Sequence, residues 1–285
     1  MKFWGTRGSV PTPGSSTIRY GGNTPCVEVR CDSHVLILDA GTGIRGLGQQ
    51  MRVEGKREFD LLISHPHMDH LQGFPFFLPA YDPEARIRIH TVHRKGRGAE
   101  PFDKMMEAPH FPVVFRELPA RIEFHRLGGQ AQIGPFRLLT HPLNHPGGNT
   151  AFRLEYGGKS LVYLTDHEPY CRIDGSGREA VQKDQAVLDF QRGADLLIRE
   201  CQYTLDEYAE HRGWGHGTFE DACSSAREAG VRRLALFHHD PDHDDDFLER
   251  HLETLQKGSH SNGMEIFLAR EGERVDLVEE RIEAA

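Results

Sequence analysis

The chain has 285 residues, and its 34 Lys and Arg against 43 Asp and Glu leave a formal charge of −9 at pH 7. That balance excludes a surface that is basic throughout and built to grip nucleic acid, and no apolar run of 18 or more residues marks a membrane-spanning helix. MKFWGTRGSVPTPG meets Gly and Pro before a signal-peptide core could form, and the cysteines at 26, 31, 171, 201 and 223 are odd in number and read as reduced thiols, so the expectation is a soluble, uncleaved, cytoplasmic protein.

Short runs rich in β-branched residues predict strands in series. They are VEVR at 27–30, HVLILDAG at 34–41, DLLISH at 60–65, ARIRIHTV at 85–92 and RIEFHRL at 121–127. FRLLTHPL at 136–143, TAFRLEY at 150–156, KSLVYLTD at 159–166, ADLLIREC at 194–201 and RRLALFHH at 232–239 continue the series, and EIFLAREGERVDLV predicts a closing hairpin. Helical periodicity is clearest at 181–192, 218–229 and 245–257. Thr218 followed by Asp221 predicts a capping box at the start of the second of these, with Gly230 as its stop, and makes that helix start a potential anion site. With no linker or fixed-period repeat, residues 1–285 are expected to form one α/β domain of two packed sheets with helices outside.

Eighteen histidines are clustered rather than scattered. An apolar strand runs straight into His65, His67, Asp69 and His70, an H-x-H-x-D-H run that this composition would produce by chance about 0.005 times. Residues alternating past a strand end point to one side, and imidazole with carboxylate suits Zn, Mn or Fe rather than Ca or Mg. Other strand ends offer His145, Asp166, His238 and His239. Taken singly, each could be a cap or a surface group; together they complete a site.

The residues FWGTRGSVP, YGGNTPCVEV, LILDAGTG with Asp39, SHPHMDH, LNHPGG, YLTD, GWGHGT and LFHHDP span nearly the whole chain. In these motifs the sequence resembles the metallo-β-lactamase superfamily, and within it the phosphodiesterase branch of tRNA 3′-end processing nucleases and cyclic-nucleotide phosphodiesterases. The resemblance implies a four-layer αββα sandwich with two divalent ions, zinc first and manganese or iron next, in the cleft between its halves. It implies that His65, His67 and His145 hold one ion, that Asp69, His70 and His238 hold the other, and that Asp166 bridges them. His239 is the rival of His238, and Asp39 is expected to support the metal-binding loop.

Two ions about 3.5 to 4 Å apart can activate a bridging water as hydroxide and clamp phosphoryl oxygens, with Asp69 orienting the nucleophile. His216, two residues before Thr218, is the expected general acid and, with Thr218, a substrate-binding residue. The branch carries His-Ser-Thr at this point, whereas this chain reads His216, Gly217, Thr218. Only 20 residues separate His145 from Asp166, where bacterial tRNA-processing relatives insert a tRNA-gripping arm. With the negative charge, this favours a small phosphodiester such as a cyclic nucleotide over a large nucleic acid, and leaves no membrane partner. The alternatives are an armless tRNA 3′-processing endonuclease, a thioester or other non-phosphate hydrolase, and a non-catalytic interaction module.

The basic run HRKGR at 93–97 reads as a solvated loop. In the irregular stretch 96–118, Met105, Met106, Pro109, His110, Phe111, Pro112 and Phe115 would suit a lid or nucleobase wall, or instead a satellite core or a homodimer contact. Arg7, Asn23 and Thr24 are expected either to shape the cleft or to stabilise loops by hydrogen bonding.

Overall fold

Thirteen strands build two mixed sheets in this computed structural model, which describes residues 1–92, 99–257 and 263–277. The first holds β1 (Lys2–Gly5), β2 (Cys26–Cys31), β3 (His34–Leu38), β4 (Glu58–Ile63), β5 (Arg86–Thr91) and β6 (Arg121–Arg126), in that order. The second runs β13 (Glu265–Leu268), β12 (Arg233–Phe237), β11 (Leu196–Glu200), β10 (Lys159–Leu164), β9 (Asn149–Tyr156), β8 (Phe136–Leu143) and β7 (Gln130–Ile133). In each sheet an antiparallel half adjoins a parallel half, β3 to β6 in the first and β10 to β13 in the second.

Parallel strands covered on both faces need apolar residues on both, which explains why they read as continuous runs. In β4, Phe59, Leu61 and Ile63 pack outward beneath helix α1 (Ile44–Val53), while Leu62 faces the second sheet. In β12, Leu234 and Leu236 pack outward with Val187 of α5 (Arg178–Gln191), Phe219 of α7 (Phe219–Glu228) and Leu248 of α8 (Asp245–Lys257). Ala235 and Phe237 of β12 fill the middle with Phe3, Leu38 and Tyr163. The result is the expected αββα sandwich with three apolar layers, and among the described residues no helix is long and apolar enough to cross a membrane.

Several details differ from the expectations. The closing hairpin does not form: β13 joins the second sheet parallel to β12, and the chain then returns to the first sheet, where Arg274 bridges Lys2 and Val275 N–H donates to Met1 O at 2.9 Å. This tail stitches the two sheets together at one edge. Met106 and Phe115 are buried in the outer core of the first sheet, with Met105 and Phe111 packed against it, while Pro109, His110 and Pro112 are exposed. Residues 99–118, with helix α3 (Glu100–Met105), are therefore a satellite of the core, one of the expected alternatives, rather than a lid. HRKGR at 93–97 lies outside the described residues.

Candidate metal centre

The parallel strands of both sheets end at one cleft, and the candidate residues stand just past those ends. β4 leads through Ser64 into His65 and His67, and the one-turn helix α2 (Met68–Leu71) then brings Asp69 and His70 back toward them. Asp166 follows β10 and His238 follows β12, while His145 sits in the loop between β8 and β9. Asp39, Asp166 and His238 all adopt left-handed backbone, with φ of 60°, 47° and 60°. Non-glycine residues pay for that conformation, and they keep it where surrounding contacts demand it.

Seven side chains converge into two four-residue groups sharing Asp166. One is His65, His67, His145 and Asp166, and the other is Asp69, His70, Asp166 and His238. Asp166 Oδ2 lies 3.5 Å from His65 Nε2, 3.4 Å from His70 Nε2 and 3.7 Å from His145 Nε2, and its Oδ1 lies 3.3 Å from His238 Nε2. Asp69 Oδ2 is 3.2 Å from both His70 Nε2 and His238 Nε2. His65 Nε2 and His70 Nε2 are buried without a hydrogen-bond partner, a costly arrangement unless a cation takes their lone pairs. Orphaned imidazole nitrogens aimed at shared carboxylates fit a pair of divalent metal ions.

The protonation pattern agrees. Burial opposes charge on His70, but Asp69, Asp166 and Asp39 outweigh it and raise its pKa well above the ordinary value; His238 is raised against burial by Asp166 and Asp69. Burial pushes the Asp166 carboxyl up, yet His238, His70 and His65 hold it well below the usual range. The carboxylates thus favour positive charge at this spot, the charge that cations would supply.

A surrounding layer fixes the donors. Asp39 Oδ2 accepts from Ser64 Oγ at 2.8 Å and Tyr163 OH at 2.7 Å and pairs with His70 Nδ1 at 2.8 Å, while its Oδ1 accepts the Ser64 amide. This is the supporting role expected for it, and it fixes which His70 nitrogen faces the cleft. His145 Nδ1 is held by Gly215 O at 2.9 Å and His238 Nδ1 by Gln202 Oε1 at 3.0 Å. His239 turns away, its Nε2 bonding Ala269 O at 2.9 Å, so geometry separates the two rivals. Ser9 N–H donates to Asp69 Oδ2 at 2.9 Å, and the N-terminal loop comes so close that a Cβ on Gly8 would lie 2.4 Å from His238 Nδ1. Arg7, Asn23 and Thr24 are loop-holding residues: Arg7 binds the carbonyls of Gly21, Asp240 and His243, Asn23 binds Glu271, and Thr24 exchanges bonds with Thr42.

His216 stacks on His238 at 5.2 Å and meets His145 edge-on at 5.1 Å, so it touches one donor from each group. Burial keeps its imidazole neutral, down to about 3. Its Nδ1 is 3.9 Å from Glu200 Oε2, and burial pushes Glu200 up to about 7 even though Gly217 N–H donates to it at 2.7 Å. Glu200 escaped the sequence reading because it sits inside an apolar strand run; a carboxylate closing ADLLIRE, as Asp166 closes KSLVYLTD, was the available signal. Thr218 forms the expected capping box, its Oγ accepting from Asp221 N–H at 3.1 Å and donating to Asp221 Oδ2 at 3.0 Å. The hydroxyl is fully buried in that cap, which leaves the helix start rather than the hydroxyl to act on a ligand.

Residues 34–239 match the family described as the β-lactamase superfamily domain. The ribonuclease Z of Haloarcula marismortui is 25% identical over 287 aligned positions, which cover 84% of this chain and 85% of that protein. Two solved structures share the fold at 19% identity. A diphosphatase from the PhnP family has a TM-score of 0.65 and covers 97% of each chain, and the short form of human tRNase Z has a TM-score of 0.63 and covers 97% of this chain and 98% of that one. With its fold, its donor groups and this match in agreement, the chain belongs to the β-lactamase superfamily, as one of its metal-dependent hydrolases.

Proposed function

We propose that this protein is a two-metal phosphodiesterase acting on a small phosphodiester, with a cyclic nucleotide as the leading candidate. The observation that carries the reading is the pair of donor groups sharing Asp166 with His216 against a member of each. Two divalent cations, zinc by the donor set with manganese or iron as alternatives, would supply hydroxide at neutral pH and positive charge for the phosphoryl oxygens.

The chain's own groups account for the remaining steps. Asp69, held by the Ser9 amide, orients the nucleophile. His216 delivers the proton to the leaving alkoxide, its protonation tied to the arrival of the substrate's negative charge, and Glu200, pushed up to about 7 by burial with its Oε2 3.9 Å from Nδ1, is the neighbouring carboxyl from which that proton would be replaced. The start of α7 at Thr218 lies two residues past His216 and is the proposed place for a substrate anion.

The small-substrate reading is supported by the β9–β10 hairpin, which turns tightly between Tyr156 and Lys159 and leaves no room for an arm between His145 and Asp166. A second reading, RNA cleavage of the tRNA 3′-processing type, is favoured by the ribonuclease Z likeness. The test is a side-by-side assay of the metal-loaded protein on 2′,3′- and 3′,5′-cyclic nucleotides, a nitrophenyl phosphodiester, precursor tRNA and a thioester. Metal-dependent cleavage of the small diesters is expected; cleavage of precursor tRNA alone selects the second reading, and cleavage of the thioester alone overturns both. His216→Ala should slow alkoxide-releasing diesters by about 100-fold and nitrophenyl diesters far less. Equal losses would remove the general acid.

A further inference from the structure

The cleft rim carries an exposed indole that the proton and metal chemistry does not use. Trp214 is 60% exposed, although a tryptophan is seldom left so open without a partner. It is not on a loose loop. Gly213 and Gly215 N–H both donate to the buried Glu168 carboxylate at 2.8 Å, Trp214 N–H donates to His211 O at 3.0 Å, and the His211 ring meets the indole edge-on at 4.9 Å with Tyr203 stacked behind it. At Gly215, with φ 94°, the backbone lies so close to His145 that a Cβ would fall 2.2 Å from Nδ1.

His145 is therefore gripped from two sides. Gly215 O bonds its Nδ1, and His67 Nδ1 lies 3.0 Å from its Nε2. The residue before Gly215 is Trp214, and the residue after His67 is Met68, itself 62% exposed. An exposed π-face and an exposed thioether are thus each joined, one residue along the chain, to a residue that contacts the same metal donor. Both side chains suit a planar aromatic ring.

We infer that Trp214 forms a stacking subsite for the nucleobase of the substrate, its place set by the Glu168 carboxylate that holds the glycines on either side of it. The inference rests on the phosphodiesterase reading and adds to it the residue that would recognise the base of a nucleotide diester. Glu168 is a positioning residue that fixes the indole without touching the substrate.

The test uses binding to the zinc-loaded protein, measured by calorimetry with two probes, adenosine 5′-monophosphate and ribose 5-phosphate. The unaltered protein is expected to bind the nucleotide more tightly, and Trp214→Ala to weaken the nucleotide by about tenfold without changing ribose 5-phosphate. Trp214→Phe should recover most of the loss. Because the chain has two tryptophans, a Trp4→Phe background isolates Trp214, whose fluorescence should be quenched by the nucleotide and not by the sugar phosphate. Equal affinity for the two probes in the unaltered protein, or equal losses for both in Trp214→Ala, overturns the subsite and leaves the phosphodiesterase reading standing. Binding of neither probe overturns the subsite and argues against the phosphodiester reading as well.

Discussion

The two sheets build their halves of the metal centre in different ways. The first sheet delivers four donors, His65, His67, Asp69 and His70, from a single six-residue segment past β4. The second delivers three donors, His145, Asp166 and His238, each from a separate strand end or loop, and two of these need left-handed backbone. The first half is a local device; the second exists only when the sheet has assembled and its strand ends are in register. Asp166 belongs to the second half yet serves both groups, so the centre depends on the sheets meeting correctly.

The largest expected effect follows from that asymmetry. Asp166→Asn should abolish hydrolysis and reduce bound metal to near zero, whereas His67→Ala, which removes one donor from one group, should retain metal in the other; elemental analysis of the two purified variants reads the difference. If both variants kept one ion, Asp166 would not be the shared donor. Next, Asp39→Asn weakens the support of the first half without removing a donor, and a competition titration should show metal affinity down about 10- to 100-fold.

A smaller effect lies away from the centre. Burial pushes the Asp60 carboxyl up, but hydrogen bonds from His90 and Arg88 outweigh it and bring it down to about 2. A carboxyl lowered from 3.8 stabilises the fold above about pH 4, and the contribution disappears as the pH falls through about 2. Urea unfolding of Asp60→Asn should therefore show a loss of about 2 kcal/mol at pH 7 that shrinks near pH 2, while metal content is retained. The smallest effect is expected for Thr218→Ser, which keeps a capping hydroxyl, against Thr218→Ala, which should cost about 1 kcal/mol in the same experiment. A large loss of activity in the serine variant would instead mean that the threonine methyl matters to the cleft.

The same asymmetry explains what could be read in advance. H-x-H-x-D-H is visible because all its donors lie within six residues, and a strand run leading into it gives their direction. Asp166 and His238 were legible only as polar residues ending apolar strands, and choosing between His238 and His239 needed the Ala269 carbonyl and the Gln202 side chain, both far away in the chain. Glu200 was hidden for a related reason, since its carboxylate gains meaning from Gly217 and His216, which another loop brings to it. In the fold, the long apolar strands announced themselves, but α1 did not, because Gly46 and Gly48 dilute its helical pattern while tertiary packing holds it. The stretch around Met106 stayed open between a lid, a satellite core and a dimer contact because apolar residues interleaved with prolines fit a pocket wall and a satellite core equally well.

A two-metal phosphodiesterase requires both halves to hold metal at once and the pair to perform hydrolysis. The most direct measurement is metal content set against activity as zinc is titrated into chelator-treated protein. Cleavage of a small phosphodiester should rise only as the second ion per chain is taken up, with saturation at two. Full activity at one ion per chain, or two ions bound with no diester cleaved, would contradict it.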